Sequence, residues 1–206
     1  MTMRKLTTLF LRDERGGPLA EFMLVVGLLF VFAIFVFEIS RFYMRAAMAE
    51  YATHLAVRVA AVRPAICPGV PDSNERATGA ESARFGTMCS DPSSPCAVVP
   101  AQTCAGVAGD PVSDEVFAMV QALLPGEATP ANLQFRYEPS DIGFLGGPYV
   151  PIVSVSLENL QHEFILPLGQ LFAPWGGGGG GGAGSVPLGP LTATLPGEDL
   201  NVGTGG

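Results

Sequence analysis

Between Glu21 and Glu38 lie sixteen uncharged, almost wholly apolar residues, a run that nothing else in the chain approaches. It calls for hydrocarbon or a large core, and a remainder this rich in Gly and Pro offers little prospect of such a core. Sixteen helical residues extend roughly 24 Å, short of the ~30 Å of a bilayer's hydrocarbon. Counted from Pro18 to Ser40 the segment has 23 residues, or roughly 34 Å of helix. Glu38 then falls at headgroup level, with Arg41 and Tyr43 as interfacial anchors. Glu21 falls just inside the apolar edge, where a carboxylate is costly unless it is neutralised, snorkels or meets a partner. It is therefore a candidate functional residue; the plainer reading is that it marks the cytoplasmic edge.

Arg4, Lys5, Arg12 and Arg15 precede the span, set against Asp13 and Glu14, while Arg41 and Arg45 follow it closely. From Pro64 onward fourteen acidic residues face only Arg76, Arg84 and Arg136, a balance of −11. These patterns favour a cytoplasmic N-terminus and an exported remainder. An acidic exported region lacks the basic footprint of nucleic-acid binding and is repelled by anionic headgroups. A cleaved secretory signal is the competing reading. Its A-x-A-like site would be Ala46-Ala47-Met48-Ala49, which lies inside a continuing helical pattern.

All four cysteines, Cys67, Cys89, Cys96 and Cys104, lie beyond the span. An even number confined to the exported side suits an oxidising compartment, with three pairings open. Successive cysteines are separated by 21, 6 and 7 residues, without the short knuckles of structural zinc. Two disulfides are expected, and no metal. Cross-links would order a stretch, residues 64–109, that is poor in large apolar side chains and rich in Pro, Ser and Gly.

The first helix is expected to continue past the membrane, since residues 39–63 contain neither Pro nor Gly and Pro64 stops the pattern. Phe42, Ala46, Ala49, Thr53, Ala56 and Ala60 form a small-residue stripe along which neighbouring helices could approach. Glu50, His54 and Arg58 form a second, charged stripe, read as solvated surface. A short helix should begin at Ser113 as cap, with Asp114 and Glu115 in its first turn. Val116, Phe117, Met119, Val120, Leu123 and Leu124 then give its apolar face before Pro125. Alternation predicts strands at Leu133-Phe135-Tyr137 and at Tyr149 to Leu157, and Phe164 to Leu168 and Leu191 to Leu195 offer two more. Pro151 implies an edge position or a late start for the second of these. The seven glycines at 176–182 read as a loop, and residues 201–206 as a disordered tail. The expected fold is α+β: residues 1–16 a basic leader, 17–63 a transmembrane and juxtamembrane helix, and 64–206 a small exported domain with a short helix and an antiparallel sheet.

No enzyme constellation is visible. His54 and His162 are the only histidines, and neither has a ligand-spaced companion; His162 with Glu163 reads as a surface pair at a strand end. The glycine run lacks the Gly-Lys-Ser/Thr of a phosphate loop. No cofactor is expected.

Gly16-Gly17-Pro18-Leu19-Ala20-Glu21-Phe22, followed by the long apolar helix, resembles the processing region of type IV prepilin-like proteins. It is most similar to the TadE-like family of minor pseudopilin-like proteins in tight-adherence (Flp) pilus assembly. The resemblance also takes in the small-residue helix and, less specifically, residues 149–168. It implies a prepilin-peptidase cut between Gly16 and Gly17, with Glu21 as the fifth mature residue beside the aromatic Phe22. Pro18 departs from the pattern, directly after the cut. It further implies an inner-membrane, single-pass protein with a periplasmic domain, whose partners are pilus-assembly or pseudopilin subunits, the peptidase and membrane lipid. Glu21 would pair with the N-terminal ammonium of a neighbouring subunit. The alternative is a membrane-anchored periplasmic or cell-surface binding module whose site lies near Trp175.

Overall fold

The computed structural model describes residues 17–164, 185–198 and 200. The protein is α+β, with one long N-terminal helix, a short helix and an antiparallel sheet. It divides into two compact units at Phe42/Tyr43.

Helix α1 runs Gly17–Ala60, 44 residues and about 66 Å. It is long and apolar enough to cross a membrane. In the first unit the apolar side chains point outward all round: Phe22, Leu24, Leu28, Phe30 and Phe32 are each more than 60% exposed. Such a helix has no core of its own to face and must take its solvent from elsewhere. Its backbone amides are satisfied within the segment, as hydrocarbon requires.

From Tyr43 on, the same helix belongs to the second unit. Ala49, Ala52, Thr53, Ala56, Val57 and Ala60 are buried there. From Ala49 on, the expected small-residue stripe is buried within the second unit and is not open to neighbours, which corrects that part of the expectation. Phe42 and Ala46 are half-buried. Thr53 pacifies its buried hydroxyl by donating to Glu50 O at 2.7 Å. The helix ends three residues earlier than expected. Ala61 N still reaches Val57 O, but Val62 N turns back to Val59 O, tightening the last turn before Pro64.

Four antiparallel strands form the main sheet in the order β1-β2-β3-β6: β1 Gln102–Ala105, β2 Leu133–Glu138, β3 Ile152–Leu157 and β6 Leu191–Pro196. Strict alternation buries one face. Leu133, Phe135 and Tyr137 on β2 stand opposite Leu157, Val155 and Val153 on β3, and Val155 stands opposite Ala193 on β6. Pro151 precedes an interior strand, so its meaning is the late start, not the edge. Strand β1 lies in the segment read as irregular. Its four residues, half-exposed at the sheet edge, are too few to carry a period. Strands β4 (Gln161–Glu163) and β5 (Ser185–Pro187) pair separately. The strand expected at Phe164 to Leu168 falls on residues that, after Phe164, are outside the described ones, as are the glycine run and the tail. Phe164 itself is outside β4.

Helix α2 runs Pro111–Val120. Its cap is Asp110, whose carboxylate accepts from Ser113 N at 2.8 Å; Ser113, the expected cap, is instead buried inside the first turn. Pro111 explains the difference, because proline suits the first helical position and leaves the cap to the residue before it. Val116, Val120 and Leu124 face the core, and the chain tightens to 3₁₀ at Gln121–Leu123.

The cysteines form two disulfides, Cys67–Cys104 and Cys89–Cys96, with sequence separations of 37 and 7. The first ties the chain just past α1 to β1; the second closes a local loop. Loop-closure entropy predicts about 3.8 kcal/mol for the long cross-link and about 2.4 kcal/mol for the short one. The Cys67→Ser/Cys104→Ser pair should therefore lower the unfolding free energy of the full chain more than Cys89→Ser/Cys96→Ser. Denaturant titration of both variants measures the order, and a reversed order would show that strain, not chain entropy, sets it.

Candidate functional site

Glu21 lies on the second turn of α1 with its side chain exposed. Its neighbours one and two turns on, Leu24, Val25 and Leu28, are apolar and outward-facing. No Lys or Arg occurs between Gly17 and Ser40. The nearest cation along the described helix, Arg41, is twenty residues and roughly 30 Å away. The carboxylate therefore has no counterion on its own described helix. Gly17 is the first helical residue and exposed, Phe22 is 66% exposed beside Glu21, and Gly16 lies outside the described residues. A charge in this position can be neutralised, or it can recruit a cation from another chain.

At the other end of the apolar run Glu38 is different. Its side chain is buried and takes Arg41 Nη1 at 3.5 Å, one turn along, so span-end charge is already matched. Tyr43 is exposed, as an interfacial anchor would be.

Glu50, His54 and Arg58 are all exposed, in keeping with a solvated stripe. His162 was read as a surface residue and is not one. It sits buried on β4 opposite Val186, with its ring edge-on to Phe164 at 4.9 Å between centroids, while Glu163, like Gln161, faces outward. A strand of three residues sends adjacent side chains to opposite faces, which separates the pair. Among the described residues no group of three or more His, Cys, Asp or Glu side chains is placed to hold a metal ion. Trp175 and the glycine run lie outside the described residues.

The end of α1 is fixed to the domain by contacts from residues far apart in sequence. Arg63 donates twice to Glu115 on α2, Nε at 3.0 Å and Nη2 at 2.6 Å, a bidentate pair across 52 positions. Glu198 N donates to Ala61 O at 2.8 Å, and Ile66 N to the Tyr137 hydroxyl at 3.2 Å. Burial holds the Tyr137 phenol above its ordinary value, and burial does the same for Tyr149. Neither the ion pair nor the tyrosine contact has a local signal; only the folded sheet brings the partners together. No protein-family model, curated protein or solved structure matches the chain.

Hydrogen bonding from Arg63 holds the Glu115 carboxyl below its ordinary value, and the pair raises Arg63 in turn. A depressed carboxylate contributes stability that is present above its unfolded value and lost as pH falls through the folded one. Both partners are half-exposed, so the contribution is small and salt-sensitive. Glu115→Gln should be slightly less stable than the parent at neutral pH. The gap should close below the ordinary carboxylate range and narrow in high salt. Denaturant midpoints across that pH range test it; a gap independent of pH would mean the ionised pair contributes nothing.

Proposed function

We propose that this chain is a minor pseudopilin-like component or assembly factor of a tight-adherence pilus. It is held in the bacterial inner membrane by α1, with its N-terminus cytoplasmic and its second unit periplasmic. One observation carries the reading: a carboxylate, Glu21, stands exposed on an apolar helix that supplies it no counterion, directly behind the Gly16-Gly17 leader. A lone charge at the edge of hydrocarbon is costly. The ammonium of a processed neighbour is the partner that would remove that cost, and it exists only if the cut after Gly16 is made. The paired cysteines support the placement, since disulfides persist in oxidising compartments such as the periplasm. The acidic, lysine-poor exported region supports a protein partner over an anionic lipid surface.

In this reading α1 anchors the chain and packs against the helices of other subunits within the membrane. The domain serves as a rigid head that other assembly proteins recognise. No step calls for chemistry by this chain.

Co-expression with its prepilin peptidase should remove sixteen residues and expose Gly17, read by intact mass, and Gly16 replacement should block the loss. Glu21→Ala should insert into the membrane as well as the parent, because removing a charge does not oppose partitioning. It should nonetheless abolish or strongly reduce piliation. Normal piliation with this variant would remove the role assigned to Glu21, and loss of a segment ending near Ala49 would show an ordinary secreted protein.

A further inference from the structure

Beyond the helix, apart from Val62, Val107 and Met119, the exposed large apolar side chains among the described residues fall in two stretches. These are Phe85, Met88 and Val98 on one side and Ile142 and Phe144 on the other, with Val98 89% and Phe85 75% exposed. The stretches are joined. Gly86 N donates to Leu145 O, Leu145 N to Thr87 O and Cys89 N to Gly143 O, at 2.8–3.0 Å, and Met88 pairs antiparallel with Phe144. The result is a two-stranded ribbon with Leu145 buried beneath it and aromatic and aliphatic side chains above.

The ribbon is held by more than its own ladder. Cys89 is bonded to Cys96. Buried Asn74 donates through Nδ2 to Pro148 O at 3.0 Å and to Phe144 O at 3.4 Å. Arg76 donates to the carbonyls of Ala80, Glu81 and Ala83 and lies 5.1 Å over the Phe85 ring. Phe85 lies close beside Gly146 and Phe144 close beside Gly147, where a Cβ would meet the ring. Exposed apolar groups fixed in this way lose little entropy on binding, and patches of this kind mark interaction surfaces.

A cavity of about 100 Å³ opens beside the ribbon, between the Cys89–Cys96 disulfide, Val98, Tyr149 and Asp141. Tyr149 forms a buried wall and Asp141 is exposed. The surrounding charge is one-sided. Asp72, Glu75, Glu81 and Asp91 lie in or just before the first stretch and Asp141 just before the second, against Arg84 and the already engaged Arg76. That field repels anionic lipid and disfavours a second copy of the same surface, and it attracts cations.

We propose that the ribbon and its cavity form a docking surface for a partner protein presenting an arginine or lysine between apolar side chains. The cationic head meets Asp141, its aliphatic stem lies against Val98 and Tyr149, and the flanking apolar groups cover Met88, Ile142 and Phe144. This surface operates whether or not Glu21 acts in assembly.

The test uses methyl-labelled full-length protein in phosphatidylcholine nanodiscs, titrated with acetyl-Ala-Leu-Arg-Leu-Ala-amide and with its twin carrying Gln for Arg. The Arg peptide should shift the Met88, Val98 and Ile142 methyl signals saturably. It should bind about three- to fivefold more tightly than the twin, the worth of one half-exposed charge pair. Asp141→Asn should erase that preference, and Ile142→Ser should weaken both peptides alike. Unchanged signals from Leu145 and Val153 serve as the folding control. If Ile142→Ser fails to fold, the twin peptides and Asp141→Asn still decide. Equal binding of the twins, or no shift with either, overturns the proposal. So does relaxation of the ribbon methyls by spin-labelled lipid, which would make the bilayer the occupant. Shifts that grow with protein concentration alone would make it a second copy and overturn the proposal as well.

Discussion

One helix faces two different solvents, and the rest of the structure depends on where it changes from one to the other. Over residues 22–37 apolar side chains project on all sides, an arrangement stable only in hydrocarbon or against other apolar helices. From Tyr43 the same unbroken ladder of backbone bonds enters a folded domain and buries one face of alanines and Thr53. Small side chains are what that second role requires. An alanine stripe brings a helix backbone close to what it packs on, at almost no cost in side-chain entropy. Leucines there would fill a deeper gap and would hold the helix axis farther away.

Close approach must be held in register, and the chain does this within seven residues of the helix end. Ala61 accepts from Glu198, Arg63 grips Glu115, Ile66 donates to Tyr137, and Cys67 is covalently joined to Cys104. These ties reach α2, β2, β1 and the stretch after β6. The non-covalent ties are modest alone, at about 1 kcal/mol for a neutral hydrogen bond and less for an exposed ion pair, and the disulfide is the largest of the four. Together they make it hard for the helix to move without moving the sheet.

What the sequence revealed and what it hid divide along a physical line. The span, the strands β2, β3 and β6 and the disulfides were legible because each follows from a local period or from composition: Leu133-Phe135-Tyr137 alternates whatever it pairs with. The cap of α2 was misplaced by three residues because Ser113 and Asp110 both cap well, and only Pro111 distinguishes them. His162 was misjudged because three residues of β4 are too few to show which face is inside. The small-residue stripe is legible as a packing face, but a stripe does not say whether its partner is another chain or its own domain. The exposed carboxylate at Glu21 was legible from hydropathy alone. The ribbon at Phe85 and Phe144 was not, because it joins segments more than fifty residues apart through backbone bonds with no side-chain signature.

The two proposed recognition surfaces obey opposite physics. Around Glu21 a single charge sits among apolar groups, so its energetics are governed by desolvation: an isolated carboxylate is penalised heavily and a paired one is tolerated. Around the ribbon apolar groups sit among charges in water, so the apolar area contributes binding energy while the acidic field governs which partner arrives. A partner at the first surface is selected by its ability to neutralise one atom, and small changes in position there are costly. A partner at the second is selected by shape and by the sign of its charge, and tolerates variation in detail. On the proposed reading, one surface serves assembly and the other serves recognition by a further protein. Here they lie on separate compact units, so either can change in sequence without altering the chemistry of the other.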